Sequence, residues 1–412
     1  MKAQCLGLLL IILWGCSKKS GDSYHALSWR EIASPAGLGS NTPNLFVAND
    51  GRIFLSWTER LGDKRHALRF AVYTNEGWST PQTIAEGNNW FVNWADFPSL
   101  VEFADGALAA HWLAKSGEDA YAYNVSITLS KDAGKNWGNA IVPHRDGTPT
   151  EHGFVSMLPW QDDRALVVWL DGRNFAKSSN GHHEAAAPTE EMTLRCATMD
   201  KNGEMHDEAL LDARVCECCQ TDAALTSNGA VVVYRDRSVQ EIRDIGIVRF
   251  HDGSWTEPKI LHADNWEHHG CPVNGPAIAA NGAFVAVAWY TAAQDTPHIR
   301  VAFSTDEGAT FGQPFEVGGS DPIGRVDLIL LPDNSALVSW MEQMESDGEI
   351  RVRRIRADGW RSETQIVAQS SAKRASGFPR MARNENEIIL AWTQVGDPSM
   401  LRTAVTELGN FK

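Results

Sequence analysis

The feature that most constrains this chain is a unit that recurs seven times. Each unit contains two or three apolar residues, a polar turn, and an alternating run that ends in an aromatic residue. The closing aromatics are 51 to 65 residues apart: Trp57, Trp112, Trp169, Tyr234, Trp289, Trp340 and Trp392. A period near 50 residues with four strands in each unit is typical of a β-propeller. The sequence therefore predicts an all-β fold of seven four-stranded antiparallel blades.

The turns within the units favour tight hairpins and carry a motif. Asn49-Asp50-Gly51 tolerates the positive φ that such hairpins require. Residues 130–137 (Ser-Lys-Asp-Ala-Gly-Lys-Asn-Trp) and 304–311 (Ser-Thr-Asp-Glu-Gly-Ala-Thr-Phe) resemble the Asp-box, or BNR repeat, of the sialidase superfamily. In this motif the Asp side chain bonds turn amides and the aromatic residue packs against the blade. The resemblance implies a sialidase-like propeller. Sialidases have six blades, so six is the alternative count.

The two ends of the propeller are predicted to meet in one blade. The seventh unit shows three strands, and residues 27–33 resemble the fourth strands of other units. A ring closed by strands from both ends leaves no exposed sheet edge. We therefore expect one propeller domain over residues 25–412, closed by its N-terminal strand.

The first 24 residues are predicted to direct export and anchoring. A charged start precedes an apolar run over residues 6–13, which is too short to span a membrane and is typical of a signal peptide. Residues 13–16 (Leu-Trp-Gly-Cys) resemble the lipobox of bacterial lipoproteins, which implies a signal segment 1–15 and lipidation of Cys16. Residues 16–24 then form a polar tether. The expected location is the outer membrane or cell envelope, with an ordinary signal peptide as the alternative.

Charge and composition exclude one class of partner. The 412 residues include 37 Lys and Arg against 52 Asp and Glu, which gives a formal net charge of −15. Proteins that bind nucleic acid neutralise phosphates with an excess of positive charge, so we expect no nucleic-acid partner. No apolar run reaches the length of a membrane-spanning helix, so membrane contact is expected through the lipid anchor alone.

Residues that suit binding or catalysis collect on one predicted side of the propeller. In each blade the second-to-third and fourth-to-first connections emerge together, and loops on a rigid scaffold usually carry function. These connections hold aromatic, charged and sulfur side chains, among them Trp90, Trp94, Asp96, His144, His152, Asp171 and Trp266. The connection from residue 171 to 191 has the length of a functional lid. We name this side the loop-rich face.

The resemblance to sialidases implies a catalytic set. That family binds a substrate carboxylate with three Arg residues, and uses a Tyr nucleophile assisted by Glu together with an Asp acid/base. The candidates here are Tyr234 or Tyr121 as nucleophile, Glu241 or Glu151 as its base, Asp96 as the Asp, and Arg237, Arg243 and Arg325 for the carboxylate, with Arg173 and Arg380 as further arginines. The alternative is that these charges form a salt-bridge network that holds the loops.

The strongest local anomaly is a group of cysteines. Four thiols occupy two neighbouring fourth-to-first connections: Cys216, Cys218, Cys219 and Cys271. In an exported protein disulfides are one interpretation, although adjacent cysteines bond each other only with a strained peptide. Soft thiolates with His268 and His269 instead suit Cu(I) or Zn(II), which would be the cofactor of this chain. A redox-active thiol is the third alternative.

Three functions follow as expectations. The first is a surface or periplasm-facing sialidase-like lipoprotein that binds or hydrolyses glycans, with an exo-α-sialidase as its enzyme version and a glycan or another small acidic ligand as its partner. The second is a propeller that binds Cu or Zn through the Cys/His cluster. The third is a non-catalytic scaffold whose loop-rich face binds a protein.

Overall fold

The computed structural model describes residues 29–176, 191–345 and 347–411. It contains seven antiparallel sheets, which confirms the predicted all-β propeller of seven blades and excludes the six-blade alternative. In these three ranges no helix is long and apolar enough to cross a membrane. The signal segment 1–15, the tether 16–24 and Cys16 lie outside the described residues, so those predictions are not tested by the structure.

The blades follow one another along the chain. The strands are β1 (Arg30–Ile32), β2 (Ser40–Val47), β3 (Ile53–Arg60), β4 (His66–Thr74), β5 (Gly77–Trp78), β6 (Gln82–Gly87), β7 (Leu100–Glu102), β8 (Leu108–Lys115), β9 (Tyr123–Ser130), β10 (His152–Trp160), β11 (Arg164–Asp171), β12 (Thr193–Asp200), β13 (Met205–Asp212), β14 (Asp222–Thr226), β15 (Gly229–Arg235), β16 (Ile245–His251), β17 (Ser254–Trp255), β18 (Lys259–His262), β19 (Ala277–Asn281), β20 (Phe284–Thr291), β21 (His298–Ser304), β22 (Phe315–Glu316), β23 (Pro322–Leu330), β24 (Ala336–Gln343), β25 (Gly348–Ile355), β26 (Gln365–Ser370), β27 (Arg380–Arg383), β28 (Glu387–Gln394) and β29 (Met400–Glu407). Short 3₁₀ helices lie at Gln161–Asp163, Arg173–Phe175, Ala293–Asp295, Arg374–Ser376 and Leu408–Phe411. Blades 1 to 6 comprise β2–β6, β7–β9, β10–β13, β14–β18, β19–β22 and β23–β26, and β27–β29 with β1 form blade 7.

The antiparallel order of each blade places the two kinds of connection on opposite sides. In blade 3, for example, the sheet order is β10-β11-β12-β13, so the connections before β10 and after β11 emerge at the same side. Single bridges tie such connections together, including Tyr123 to Glu151 and Val215 to Asp236. The predicted loop-rich face therefore exists as a continuous surface of connections that are bonded to one another.

The N-terminal strand completes the last blade, as predicted. β1 pairs with β29 in antiparallel register, with Glu31 opposite Ala404. The preceding Trp29 is buried and contacts Phe411 edge to face, with ring centroids 6.1 Å apart. Of the predicted stretch 27–33, three residues form the strand itself.

The closing aromatics supply the core between blades. Trp57, Trp169, Trp289 and Trp340 are fully buried. A buried indole N–H needs an acceptor, and a carboxylate two residues further along the strand often provides it. Trp169 donates to Asp171 at 2.7 Å, and Trp340 donates to Glu342 at 2.8 Å.

Carboxylates also join neighbouring blades near the central channel. Three of them accept a backbone N–H from the next blade: Asp96 from Phe154 (2.9 Å), Asp222 from Ile278 (2.9 Å) and Asp327 from Met381 (2.5 Å). Asp96 and Asp327 are buried, and Asp222 is half-buried. Such bonds satisfy backbone N–H groups that are not hydrogen-bonded to a neighbouring strand. These carboxylates therefore have a structural role in addition to any other.

Candidate functional site

Two carboxyl groups and a phenol meet on the loop-rich face between blades 2 and 3. Asp96 lies in the connection from blade 1 to blade 2, Tyr123 begins β9, and Glu151 directly precedes β10. The Tyr123 hydroxyl donates a 2.7 Å hydrogen bond to Oε1 of Glu151. Tyr123 and Asp96 are buried, whereas Glu151 is half-buried and can therefore be reached from the surface. We call Asp96, Tyr123 and Glu151 the phenol–carboxyl cluster.

Burial raises the proton affinity of this cluster. Burial, with a contribution from the Glu151 charge, raises the pKa of Asp96 to about 8, against the opposing hydrogen bond from Phe154. Burial also raises the pKa of Glu151 to about 7, opposed by the bond from Tyr123 and assisted by the charge of Glu217. The pKa of Tyr123 lies well above its ordinary value because the phenol is buried beside both carboxyl groups. The cluster can therefore exchange a proton near neutral pH, as an acid/base group must.

Tight packing fixes the phenol against its partner. A Cβ at Gly153 would lie 2.2 Å from Oδ2 of Asp96 and 2.9 Å from Cε2 of Tyr123, so only glycine fits at this position. Phe91 stacks on the Tyr123 ring with centroids 3.9 Å apart and planes inclined by 9°. Because its rotamer is held on two sides, the hydroxyl keeps its direction toward Glu151.

The connection that carries Asp96 also borders a cavity. Asn93 and Trp94, together with Arg60 and His66, line a space of about 320 Å³ between blades 1 and 7. This volume is at the lower end of the range for ligand pockets, which combine apolar walls with a few polar groups. Amide, guanidinium and indole groups at one cavity suit the hydroxyls and the apolar faces of a sugar.

The predicted arginines belong to separate networks. Arg237 and Arg243 both pair with Glu241, at 2.9 and 2.8 Å, and Arg243 pairs with Glu217 at 3.1 Å. Arg325 instead donates to Ser376 and to backbone carbonyls of the connection from blade 6 to blade 7, and burial lowers its pKa to about 10. The further arginines pair with buried carboxylates, Arg173 with Asp171 (2.7 Å) and Arg380 with Asp327 (3.4 Å). These guanidinium groups are directed at protein partners, and Arg325 does not join Arg237 and Arg243.

The structure does not bring Tyr234 to Glu241. The Tyr234 hydroxyl donates to Oδ2 of Asp212 at 2.5 Å, and its side chain is buried. Tyr121, the other predicted nucleophile, is 59% exposed. The contact between a tyrosine and a glutamate at this face is instead made by Tyr123 and Glu151. Tyr234 stays turned toward Asp212 because both are held by their own strands, β15 and β13.

The four predicted thiols meet on the same face. Sγ of Cys216 lies 3.0 Å from Sγ of Cys219 and 3.8 Å from Sγ of Cys218. Cys271, in the next connection, is close enough to Cys218 for each thiol to affect the pKa of the other. All four are free thiols here; Cys216 and Cys219 are buried, Cys218 is half-buried and Cys271 is exposed. We call this group the thiol cluster.

A buried guanidinium faces the thiol cluster. Arg235 donates its N–H groups to the backbone carbonyls of Asn274, Arg243 and Tyr290. Burial opposes ionisation of Cys219, but hydrogen bonds from Cys216 and Cys218 and the charge of Arg235 outweigh it and lower the pKa of that thiol. A thiolate is the reactive and metal-binding form of cysteine, so this electrostatic setting favours ligand chemistry at Cys219.

The two histidines predicted as metal ligands differ in position. His268 lies beside the thiol cluster, where burial and then the charge of Arg243 lower its pKa while the Cys216 charge opposes this. Nε2 of His269 is 2.9 Å from Glu267, and the His269 side chain is 73% exposed. The structure thus places His268 near the sulfur atoms and turns His269 toward solvent.

A second group of buried polar side chains lies in the connection from blade 2 to blade 3. The His144 and His152 rings stack with centroids 3.7 Å apart, and Oδ2 of Asp146 lies 3.1 and 3.2 Å from their nitrogens. Arg173 approaches the same oxygen at 3.6 Å and holds Asp171. Arg173 pairs with both of these carboxylates, so we interpret this group as an ion-pair network that supports the face.

Comparison with known proteins defines the class of fold. No protein-family model matches the sequence, and no curated protein is similar to it. A protein of unknown function from Dyadobacter fermentans is 15% identical with a TM-score of 0.51, over 92% of this chain and 99% of that one. The polysaccharide lyase Uly1 is 9% identical with a TM-score of 0.52, over 89% and 90%. The NanB sialidase from Streptococcus pneumoniae is 9% identical with a TM-score of 0.49, over 93% of both chains.

These similarities are similarities of fold. The chain shares the β-propeller fold of these proteins, which is the fold that its Asp-box-like turns indicated. At identities this low the comparison assigns no activity or residue role, so the chemistry of the site has to be argued from the site itself.

Sequence reasoning missed two features of the face. The tyrosine predicted in this connection is Tyr121, which is exposed. The tyrosine that begins a strand and is buried is Tyr123. The cysteine run also contains a Cys-x-x-Cys pair, Cys216 and Cys219, which is the closest pair of sulfur atoms in the cluster. The alternation of side chains along the strand could have identified Tyr123 as buried. The spacing of Cys216 and Cys219 could have identified the Cys-x-x-Cys pair.

Proposed function

We propose that this protein is an exported, lipid-anchored propeller that binds glycans on its loop-rich face and hydrolyses a glycosidic bond there. The observation that carries the proposal is the 2.7 Å hydrogen bond from Tyr123 to Glu151 in a cluster with Asp96. Glu151 is the half-buried member, with a pKa raised to about 7 mainly by burial. It is therefore the group that meets the substrate and accepts a proton as a base. Tyr123 holds Glu151 in position.

The surroundings of the phenol–carboxyl cluster support a glycan ligand. The connection that carries Asp96 also supplies Asn93 to the cavity of about 320 Å³ between blades 1 and 7, where its amide and the guanidinium of Arg60 can bond sugar hydroxyls. Several propellers with a similar fold are described as glycan-active enzymes, among them the lyase Uly1. Carrying that activity over to this chain is part of the proposal.

A panel of substrates tests the enzyme. We expect the wild type to cleave at least one member of a set of fluorogenic exo-glycosides that includes a sialoside, or an acidic polysaccharide. Glu151→Gln should abolish cleavage, and Tyr123→Phe should lower it at least about tenfold, the effect of removing one well-placed acid/base contact. Tyr121→Phe is the matched control, since it removes an exposed hydroxyl from the same connection.

The outcomes separate the alternatives. Glycan binding on an array without cleavage, unchanged in Glu151→Gln, would contradict the enzyme and leave a lectin-like role for the face. If neither binding nor cleavage exceeds the background of a heat-denatured sample, the proposal is wrong and the protein-binding scaffold takes its place.

Lipid anchoring has its own test. The motif over residues 13–16 supports lipidation of Cys16, and several acyl chains would hold the protein firmly at the membrane. Cys16→Ala should move the protein from the membrane fraction to the soluble fraction. Membrane retention of this variant, with no lipid found on the wild type by mass spectrometry, would contradict the anchor.

A further inference from the structure

The geometry of the thiol cluster is close to that of a ligand shell. The Sγ atoms of Cys216, Cys218 and Cys219 all lie within 4.8 Å of one another. A metal–sulfur bond of about 2.3 Å in a tetrahedral site separates two sulfurs by roughly 3.8 Å. The pair Cys216 and Cys218 is at 3.8 Å, and the pair Cys216 and Cys219, at 3.0 Å, needs to open by less than 1 Å. Cys271, in the neighbouring connection, lies outside this group of three, and a rotation of its exposed side chain would bring it in as the fourth ligand.

The backbone that carries these sulfurs is fixed before any ligand arrives. The N–H of Cys216 donates to the carbonyl of Arg235 at 3.0 Å. Gln220 bonds both the carbonyl of Ala95 (2.7 Å) and the N–H of Gly275 (3.0 Å). A Cβ on Gly275 would lie 2.0 Å from the carbonyl oxygen of Gln220, so the two cysteine-bearing connections are in direct backbone contact. A preorganised donor set lowers the cost of binding.

The charges around the cluster are those that thiolate ligands need. Arg235 is buried, and within the described ranges its N–H groups contact carbonyl oxygens and it forms no ion pair with a carboxylate. A buried cation that bonds no carboxylate directly is stabilised by negative charge nearby. The carboxylate of Asp244 and the thiol of Cys219 both interact with the charge of Arg235. Arg243, also buried, is already paired with Glu217 and Glu241. Three or four thiolates around a cation leave a net negative charge, which Arg235 partly balances.

We propose that the thiol cluster is a site for a thiophilic cation, Cu(I) or Zn(II), bound by Cys216, Cys218, Cys219 and Cys271. An all-sulfur donor set favours Cu(I) and also accommodates Zn(II) in a tetrahedron. Two disulfides are the competing state of these four residues, and they would leave the buried charge of Arg235 facing neutral sulfur. The proposal is independent of the glycan chemistry at Glu151.

The test uses the full chain, extracted from membranes, purified without an affinity tag and fully reduced under anaerobic conditions. It is titrated in separate experiments with Cu(I) against a colorimetric Cu(I) chelator and with Zn(II) against a zinc indicator. We expect one equivalent bound, with ultraviolet sulfur-to-metal charge-transfer absorption for Cu(I). Cys218→Ser and Cys271→Ser should each weaken binding at least about tenfold, since each removes a ligand. Cys271 is exposed, so its serine variant should fold as the wild type does.

Two control variants separate ligand loss from general effects. Cys196 is buried in β12, outside the cluster, and Cys196→Ala should bind the cation as the wild type does. His269→Ala removes an exposed imidazole from the connection that carries Cys271 and should also leave binding unchanged. Circular dichroism and the melting temperature verify the fold of every variant.

The contrary results are specific. Substoichiometric uptake of both cations by the reduced wild type would overturn the proposal, as would full affinity in both serine variants. Uptake of one cation and not the other identifies the occupant. Isolation of the protein with Cys216–Cys219 and Cys218–Cys271 bridges, whose reduced form binds neither cation, would assign the cluster to disulfides.

Discussion

The backbone of Arg30 pairs with that of Val405, so a strand from the start of the propeller completes the sheet formed by its last three strands. Next to this strand, Trp29 is buried against Phe411. A sheet edge that is paired cannot recruit another chain. The closure of the ring therefore contributes to solubility as well as to the free energy of unfolding.

Deletion of residues 29–33 should open the ring. The variant loses β1 and the burial of Trp29, and removing a buried Trp costs about 3–5 kcal/mol. In a protein of this size that corresponds to a fall in melting temperature of roughly 5 °C. Calorimetry gives the melting temperature, and light scattering after gel filtration reports association through the exposed edge of β29.

A deletion of equal length in the tether, residues 18–22, is the matched control and should change neither property. If the variant lacking residues 29–33 stays monomeric and melts at the same temperature as the control, closure by the N-terminal strand is not what stabilises the last blade.

The blades could be predicted because their signal is repeated and local. A closing aromatic such as Trp340 recurs at a near-constant spacing, because each blade packs an aromatic ring at that place. Closure by residues 30–32 was predictable for a related reason, because a fourth strand has the same alternating pattern wherever it lies in the sequence. Because the pattern recurs seven times in this chain, the blades could be recognised from a single sequence.

The site could be predicted only in part. The clustering of Cys216 with Cys219 followed from their spacing, and the placement of Cys271 in the neighbouring connection followed from blade topology. The partner of Tyr234 did not, because a hydroxyl bonds whichever acceptor its fixed strand places nearby, and here that is Asp212. Which tyrosine meets Glu151 depends on the packing of Phe91 and Gly153, which no spacing rule encodes.

Glu342 should be among the residues most costly to replace. Its carboxylate accepts the indole N–H of Trp340 at 2.8 Å and backbone N–H groups of Ser320 and Asp321, and the residue is fully buried. Glu342→Ala would leave the buried indole N–H of Trp340 without an acceptor, at about 1–3 kcal/mol, and would also break the bonds to two exposed backbone N–H groups. We expect a loss of at least about 1 kcal/mol in the free energy of unfolding by urea denaturation. Glu345→Ala, an exposed position in the next connection, should be neutral; equal losses in the two variants would contradict the assignment.

Asp96 should make stability depend on pH in a defined direction. Its pKa is raised to about 8 in the folded protein, chiefly by burial, whereas in an unfolded chain it is near 4. Between these values the native state holds a proton that the unfolded state has released. Stability from this group therefore falls as pH rises from about 4 to about 8, by up to about 1.4 kcal/mol per pH unit.

Asp96→Asn removes that titration while keeping an oxygen that accepts the Phe154 N–H. Denaturation curves measured at intervals from pH 5 to 9 should show a shallower decline for the variant than for the wild type. Parallel curves would show that Asp96 is already ionised in the native protein.

The pKa of Glu151 should move in opposite directions when its two neighbours are changed. Burial raises this pKa to about 7, the hydrogen bond from Tyr123 lowers it, and the charge of Glu217 raises it. Tyr123→Phe should therefore shift the titration to higher pH, and Glu217→Gln should shift it to lower pH. Carbon-13 NMR of the labelled carboxyl groups measures the shift without requiring any activity. Glu118→Gln, an exposed carboxylate of the neighbouring connection, should leave the titration in place.

The same two shifts should appear in catalysis under the proposed function. As a base, Glu151 acts in its ionised form, so kcat/KM should rise with pH through about 7. Glu217→Gln should bring this rise to lower pH, because removing a nearby negative charge makes Glu151 easier to ionise. A pH profile of kcat/KM that is the same in the wild type and in Glu217→Gln, while NMR shows the shifted pKa, would mean that Glu151 titrates as described but takes no part in the reaction.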